Sequence, residues 1–170
     1  NYLYAGGWKN SFATGGGGFI GGGCEIYRSS DGVNWEEVVG NASGAQMPRG
    51  FGNENNAAVL SMEVFNGYLY VGTANFKNMA ELWRTDGTTW EKVIDHGLGD
   101  LNMYMWRMLV FDGKLYVGTM NPLTGCELWM SETGDPGSWE KANVDGMDGE
   151  TMYTAPVSFF TSGFIADQYG

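Results

Sequence analysis

The chain has 170 residues, with 20 acidic against 9 basic side chains, a formal charge of −11 and a pI near 4.3. Its length is that of one domain, and 43% hydrophobic with 15% aromatic residues exclude a disordered chain. The negative surface repels phosphate backbones, which speaks against nucleic acid and for cations, basic proteins or calcium as partners. No apolar run is long enough to span a bilayer, and 28 glycines exclude long helices while suiting short strands and tight turns.

The first predicted strand is Tyr2 to Gly7, followed by a long loop from Trp8 to Gly23. Within it, Gly15 to Gly23 holds seven glycines around Phe19 and Ile20, which reads as a flexible or closely packed loop. It precedes no helix, so it is not a nucleotide cradle. Cys24-Glu25-Ile26-Tyr27-Arg28 forms the next strand, Asp31-Gly32 a turn, and Trp35-Glu36 opens another strand. After the loop Gly40 to Asn56 comes a strand ending at Phe65, and then the hairpin signal Asn66-Gly67.

From there the pattern repeats. Gly67-Tyr68-Leu69-Tyr70-Val71-Gly72-Thr73 returns 46 positions later (67 to 113) as Gly113-Lys114-Leu115-Tyr116-Val117-Gly118-Thr119, and Tyr2 to Gly7 is a third version. Ala80-Glu81-Leu82-Trp83-Arg84 and Cys126-Glu127-Leu128-Trp129-Met130 echo Cys24 to Arg28, each before a turn and a tryptophan at 90 or 139. The internal period is two, as in strands. Each unit is a four-stranded antiparallel meander of propeller-blade size. Blade 1 covers about 1–40, blade 2 about 56–95 and blade 3 about 102–145. Residues 151–163 resemble the first strand of the other copies and either close blade 1 or begin the next. Propellers hold four to eight blades, so three belong to a larger ring, completed by a longer chain or by other copies of this one.

Ser30-Asp31-Gly32-Val33-Asn34-Trp35 resembles the Asp-box turn of sialidases and many other propellers. Thr85-Asp86-Gly87-Thr88-Thr89-Trp90 is a shortened copy, and Ser131 to Trp139 has lost the aspartate. The resemblance implies a structural turn between the third and fourth strands, on the face opposite the usual ligand site, and implies no activity.

The ligand face is expected where the loops 8–23, 74–79 and 120–125 meet the loops 40–56, 95–102 and 143–151. Trp8 and Trp106 stand outside the repeat: Trp8 suits stacking on a sugar ring, and Trp106, on an innermost strand, suits core packing as well. Asn75 and Asn121 occupy matching loop positions, suited to ligand contact or turn capping, and Arg49 and His96 are further ligand candidates. Asp145, Asp148 and Glu150, among glycines, offer oxygen ligands to calcium without the spacing of the twelve-residue loop. Cys24 and Cys126 take the same slot two blades apart, beyond the ~7 Å reach of a disulfide. Asn41-Ala42-Ser43 is a glycosylation sequon.

The arginine triad that sialidase catalysis requires is not provided by four arginines, two of them at equivalent repeat positions. The expected function is a non-catalytic module, secreted or on the cell surface, that binds carbohydrate or protein or builds a surface assembly. The alternative is a fragment of a sialidase-like glycoside hydrolase whose catalytic residues lie in missing blades.

Overall fold

Asn66 and Gly67 take left-handed φ values of 47° and 82°, and Asp112 and Gly113 take 48° and 70°. Such paired left-handed residues match the twist of flanking strands and turn the chain straight back on itself. The computed structural model describes residues 1–12 and 19–151. Its strands are β1 (Leu3–Gly6), β2 (Asn10–Phe12), β3 (Phe19–Gly21), β4 (Ile26–Ser29), β5 (Glu36–Gly40), β6 (Met47–Pro48), β7 (Ala58–Phe65), β8 (Tyr68–Ala74), β9 (Leu82–Thr85), β10 (Trp90–Ile94), β11 (Tyr104–Phe111), β12 (Lys114–Met120), β13 (Leu128–Ser131) and β14 (Glu140–Lys141). The fold is all-β, with short 3-10 turns as its helical content.

Strands β7 to β10 and β11 to β14 form two four-stranded antiparallel meanders, joined through a single bridge between Tyr104 and Ala74 into one curled sheet. Strands β1, β4 and β5 repeat the order of β8, β9 and β10, and the register is the same in all three units. Leu3 faces Ser29, Leu69 faces Thr85 and Leu115 faces Ser131. The short β6 adds to β5 in parallel. The glycine-rich stretch expected as a loop is in part a strand, since β3 pairs with β2 in a separate two-stranded sheet. Residues 13–18 of that stretch, and the expected strand 151–163 beyond its first residue, lie outside the described residues.

The turns between the third and fourth strands are built by short oxygen side chains, as their sequence implies. Asp31 Oδ1 accepts from the Val33 and Asn34 amides at 2.8 and 2.7 Å. Asp86 Oδ1 accepts from Thr88 and Thr89, both at 2.8 Å. The third turn lacks the aspartate yet keeps a hydroxyl, Ser131 Oγ, which accepts from Gly134 N at 2.8 Å. These bonds replace water at backbone donors that a tight turn leaves unpaired.

Apolar residues fill the seams between units. Cys24, Ile26, Val39 and Phe51 pack against Val71 and Trp83 of the second unit. Phe65, Tyr70 and Leu82 pack against Met105, Leu115 and Val117 of the third. Third-strand arginines bind the next unit's turn: Arg28 donates to Gly87 O at 2.6 Å, and Arg84 donates to Asp135 at 2.9 Å and to Gly134 O at 3.4 Å. Cys24 and Cys126 are free and buried. Among the described residues no helix is long and apolar enough to cross a membrane.

Candidate functional site

Inner strands β7 and β11 each carry a bulge at the same place, where the register skips Leu60 in one and Trp106 in the other. A bulge adds a residue that the partner strand does not match and so re-aims its side chain. Trp106 thereby lies flat against Tyr104, two residues earlier on the same strand, with ring centroids 5.2 Å apart and planes 12° from parallel. Trp8 meets the edge of the same tyrosine at 6.4 Å, and Phe76 does so at 5.2 Å. Trp8 is placed by its backbone bridge to Ala58, the first residue of β7.

The two tryptophans outside the repeat are therefore brought together across Tyr104, with Phe76 as a fourth ring. Tyr104 is buried, whereas Trp8 and Phe76 are 52% and 48% exposed. Arg107 sits over the Trp106 ring at 5.5 Å. Exposed aromatic rings gathered over the buried start of β11 suit a ligand with an apolar face, and a pyranose ring presents such a face through its C–H bonds.

Each unit holds a glutamate just before its third strand, buried in the second and third units (Glu81 and Glu127) and half-buried in the first (Glu25). Glu81 Oε2 accepts from Asn56 Nδ2 at 2.6 Å and from Trp83 Nε1 at 2.8 Å, and Lys92 donates to Oε1 at 3.1 Å. Glu127 repeats the set with Asn102 at 2.6 Å, Trp129 at 2.8 Å and Lys141. Thr73 and Thr119 add hydroxyls that accept from the glutamate amides at 2.8 and 3.0 Å. A buried carboxylate that accepts from this many donors fixes the strand ends around it. In the first unit Glu25 is met by Lys9 and, at 2.8 Å, by Arg49. Burial pushes the Glu25 pKa up, and these two cations more than offset it, leaving the carboxyl below its ordinary range.

The sequence pattern carried these glutamates in all three copies of the third-strand motif, at 25, 81 and 127. A charged residue in an alternating strand nevertheless reads as solvent-facing, and sequence reasoning missed them.

Asn75 and Asn121 are fully buried. Asn75 Oδ1 accepts from Lys77 N and Asn78 N at 3.1 and 2.8 Å, and Asn121 Oδ1 accepts from Leu123 N and Thr124 N, both at 3.1 Å. Both side chains cap loops, and their amides are bonded to Asn56 and Asp100.

Arg49, His96 and Asp145 are equivalent residues, one per unit, and do not share a site. Each precedes a glycine in left-handed conformation (Gly50, Gly97 and Gly146, φ 61°, 61° and 62°) followed by a second left-handed residue, Phe51, Leu98 or Met147. The glycine amides bond Cys24 O, Ala80 O and Cys126 O at 2.9, 3.0 and 3.1 Å. A Cβ on Gly97 would lie 2.8 Å from Asn102 O, so the turn requires glycine. The His96 side chain is 70% exposed beside Asp95, at 3.0 Å.

Asp145 binds Lys141 at 2.8 Å, and Asp148 accepts from the Glu150 amide at 3.1 Å. Among the described residues no three His, Cys, Asp or Glu side chains converge as a metal cluster. No protein-family model matches the chain, and no match is found among curated proteins or solved structures.

Proposed function

We propose that the four-stranded units are blades of an Asp-box β-propeller, and that the chain is a non-catalytic, extracellular module that binds carbohydrate at the aromatic cluster of its inner-strand ends. The observation that carries this reading is the meeting of Trp8 and Trp106 at Tyr104 through a bulge in β11. Exposed aromatic clusters are features of binding surfaces rather than of ordinary blade packing. The equivalent glutamates Glu25, Glu81 and Glu127 tie loops to strands in the three units, which supports a preformed surface. The exposed sequon residue Asn41 and the acidic surface support a location outside the cell.

The test is a glycan array probed with the wild-type chain and with Trp8→Ala, Phe76→Ala and Val33→Ala. Wild type is expected to bind a defined set of neutral glycans, and loss of either aromatic ring to weaken binding at least tenfold, or about 1.4 kcal/mol. Val33, on the opposite Asp-box turn, is expected to be dispensable. Retention of full binding by Trp8→Ala and Phe76→Ala would refute the site.

A further inference from the structure

The hairpin between β7 and β8 turns on Asn66 and Gly67, and no other asparagine of the chain is followed by glycine. The turn belongs to the middle unit, and both of its residues are exposed. The Gly67 amide donates to no group among the described residues. Nothing beyond its chain neighbours lies within 4 Å of the point where a Cβ on Gly67 would stand. An unbonded, uncrowded backbone nitrogen therefore adjoins a carboxamide, and closing it onto the Asn66 Cγ makes a five-membered ring. A side chain at position 67 would hinder that closure, and glycine has none.

The Asn66 carboxamide is held by a single long bond. Its Nδ2 donates to Thr133 O at 3.4 Å, beyond the usual N–H to O range of about 2.7–3.2 Å. Thr133 lies in the turn of the third unit, so this bond crosses the seam between the second and third units. Asp112, the equivalent of Asn66, stands in the same kind of turn with φ 48° against 47°. The hairpin therefore accepts an acid at this position without a change of backbone.

We propose that Asn66 is a site of spontaneous covalent modification, where the chain loses an amide and with it the side-chain bond to Thr133. The Gly67 nitrogen gives its proton to hydroxide and attacks Cγ. The N–Cγ bond forms, the Cγ–Nδ2 bond breaks, and Nδ2 leaves as ammonia with a proton from water. Water then opens the cyclic imide. Cleavage at Cγ gives aspartate at position 66, whereas cleavage at the main-chain carbonyl gives isoaspartate, whose backbone is longer by one carbon. The net reaction consumes one water and releases one ammonia, with no oxidant or cofactor.

Aspartate keeps the turn, as Asp112 does. Isoaspartate lengthens a connection that sets Phe65 opposite Tyr68, and so loosens the register of β7 on β8. In both products a charged oxygen replaces the nitrogen donor and repels the Thr133 carbonyl, which weakens the seam. The change requires no ligand and is independent of sugar binding.

The experiment ages the folded chain in mildly alkaline buffer and maps its peptides by mass spectrometry, with isoaspartate resolved from aspartate. Conversion is expected at Asn66 ahead of every other asparagine, as a mixture of both products. It is expected to slow in mildly acidic buffer, where hydroxide is scarce. Asn66→Gly, which leaves a turn-forming pair, is expected to keep the wild-type circular dichroism and to gain no acidic form at this turn. The aged fraction, separated by its added negative charge, is expected to unfold at a lower temperature than the fresh chain. An intact Asn66 while other asparagines convert, aspartate without isoaspartate, or an aged fraction that melts with the fresh chain would overturn the inference.

Discussion

The side-chain amide of Asn102 donates to the Glu127 carboxylate at 2.6 Å, tying the start of β11 to the start of β13 from within the buried interior. Asn56 and Glu81 make the same bond at the same length one unit earlier. Truncating Glu127 leaves this amide, the Trp129 N–H and the Lys141 ammonium without their shared acceptor. Glu127→Ala is expected to lose about 3 kcal/mol of stability in urea unfolding, since removing one member of a buried charged set strands the others. A loss below about 1 kcal/mol would show that the set contributes little.

Arg84 holds the second unit to the third. Its guanidinium donates to Asp135 at 2.9 Å, to Glu91 Oε2 at 2.9 Å and to Tyr70 OH at 3.3 Å, while Tyr70 itself donates to Gly134 O at 3.2 Å. Arg84→Met, which copies the third unit's own residue at that position, is expected to cost about 2 kcal/mol and to lower the thermal midpoint. An unchanged midpoint would mean that apolar packing alone maintains the seam.

The turns built by Asp31 and Asp86 give the chain an acid-sensitive element. Backbone and side-chain donors at Asn34 and the amide of Val33 hold the Asp31 carboxyl well below its ordinary range, and Thr89 and Thr88 do the same for Asp86. A folded pKa below the unfolded value of about 3.9 gives stability that is complete above that pH and is lost as pH falls through the lower folded value. Thermal midpoints measured from about pH 5 down to about pH 2 are expected to fall, and Asp86→Asn is expected to flatten the decline. An equally steep decline in the variant would place the acid sensitivity elsewhere.

Burial pushes the Cys24 thiol up to about 12, with the Glu81 and Glu25 carboxylates adding to the effect. Thiolate is the reactive form, so at mild alkaline pH Cys24 is expected to resist a disulfide reagent until urea unfolds the chain. Rapid labelling in native buffer would contradict its placement against Ile26 and Trp83.

Much of the fold was legible because each unit repeats its local instructions. Asn66-Gly67 and Asp112-Gly113 specify turns by backbone preference alone, and Asp31 and Asp86 build theirs with their own carboxylates. Trp8 and Trp106 were recognisable as departures from the repeat, yet their meeting at Tyr104 depends on a bulge that leaves no mark in the sequence. Glu81 and Glu127 were hidden because a charge in a strand is ordinarily exposed. Only the three-dimensional approach of Asn, Trp and Lys makes its burial tolerable. Asp145 reads as a cation ligand from its oxygens and neighbouring glycines, and the unlike residues Arg49 and His96 at the equivalent positions hide that all three begin the same left-handed turn.

The central claim is that the rings gathered around Tyr104 receive a sugar. Saturation-transfer NMR with a mixture of neutral oligosaccharides tests it most directly, comparing wild type with Trp8→Ala. Transfer to sugar C–H protons in the wild type, lost in the variant, is the expected result. Absence of transfer in the wild type, or transfer undiminished in Trp8→Ala, would contradict it.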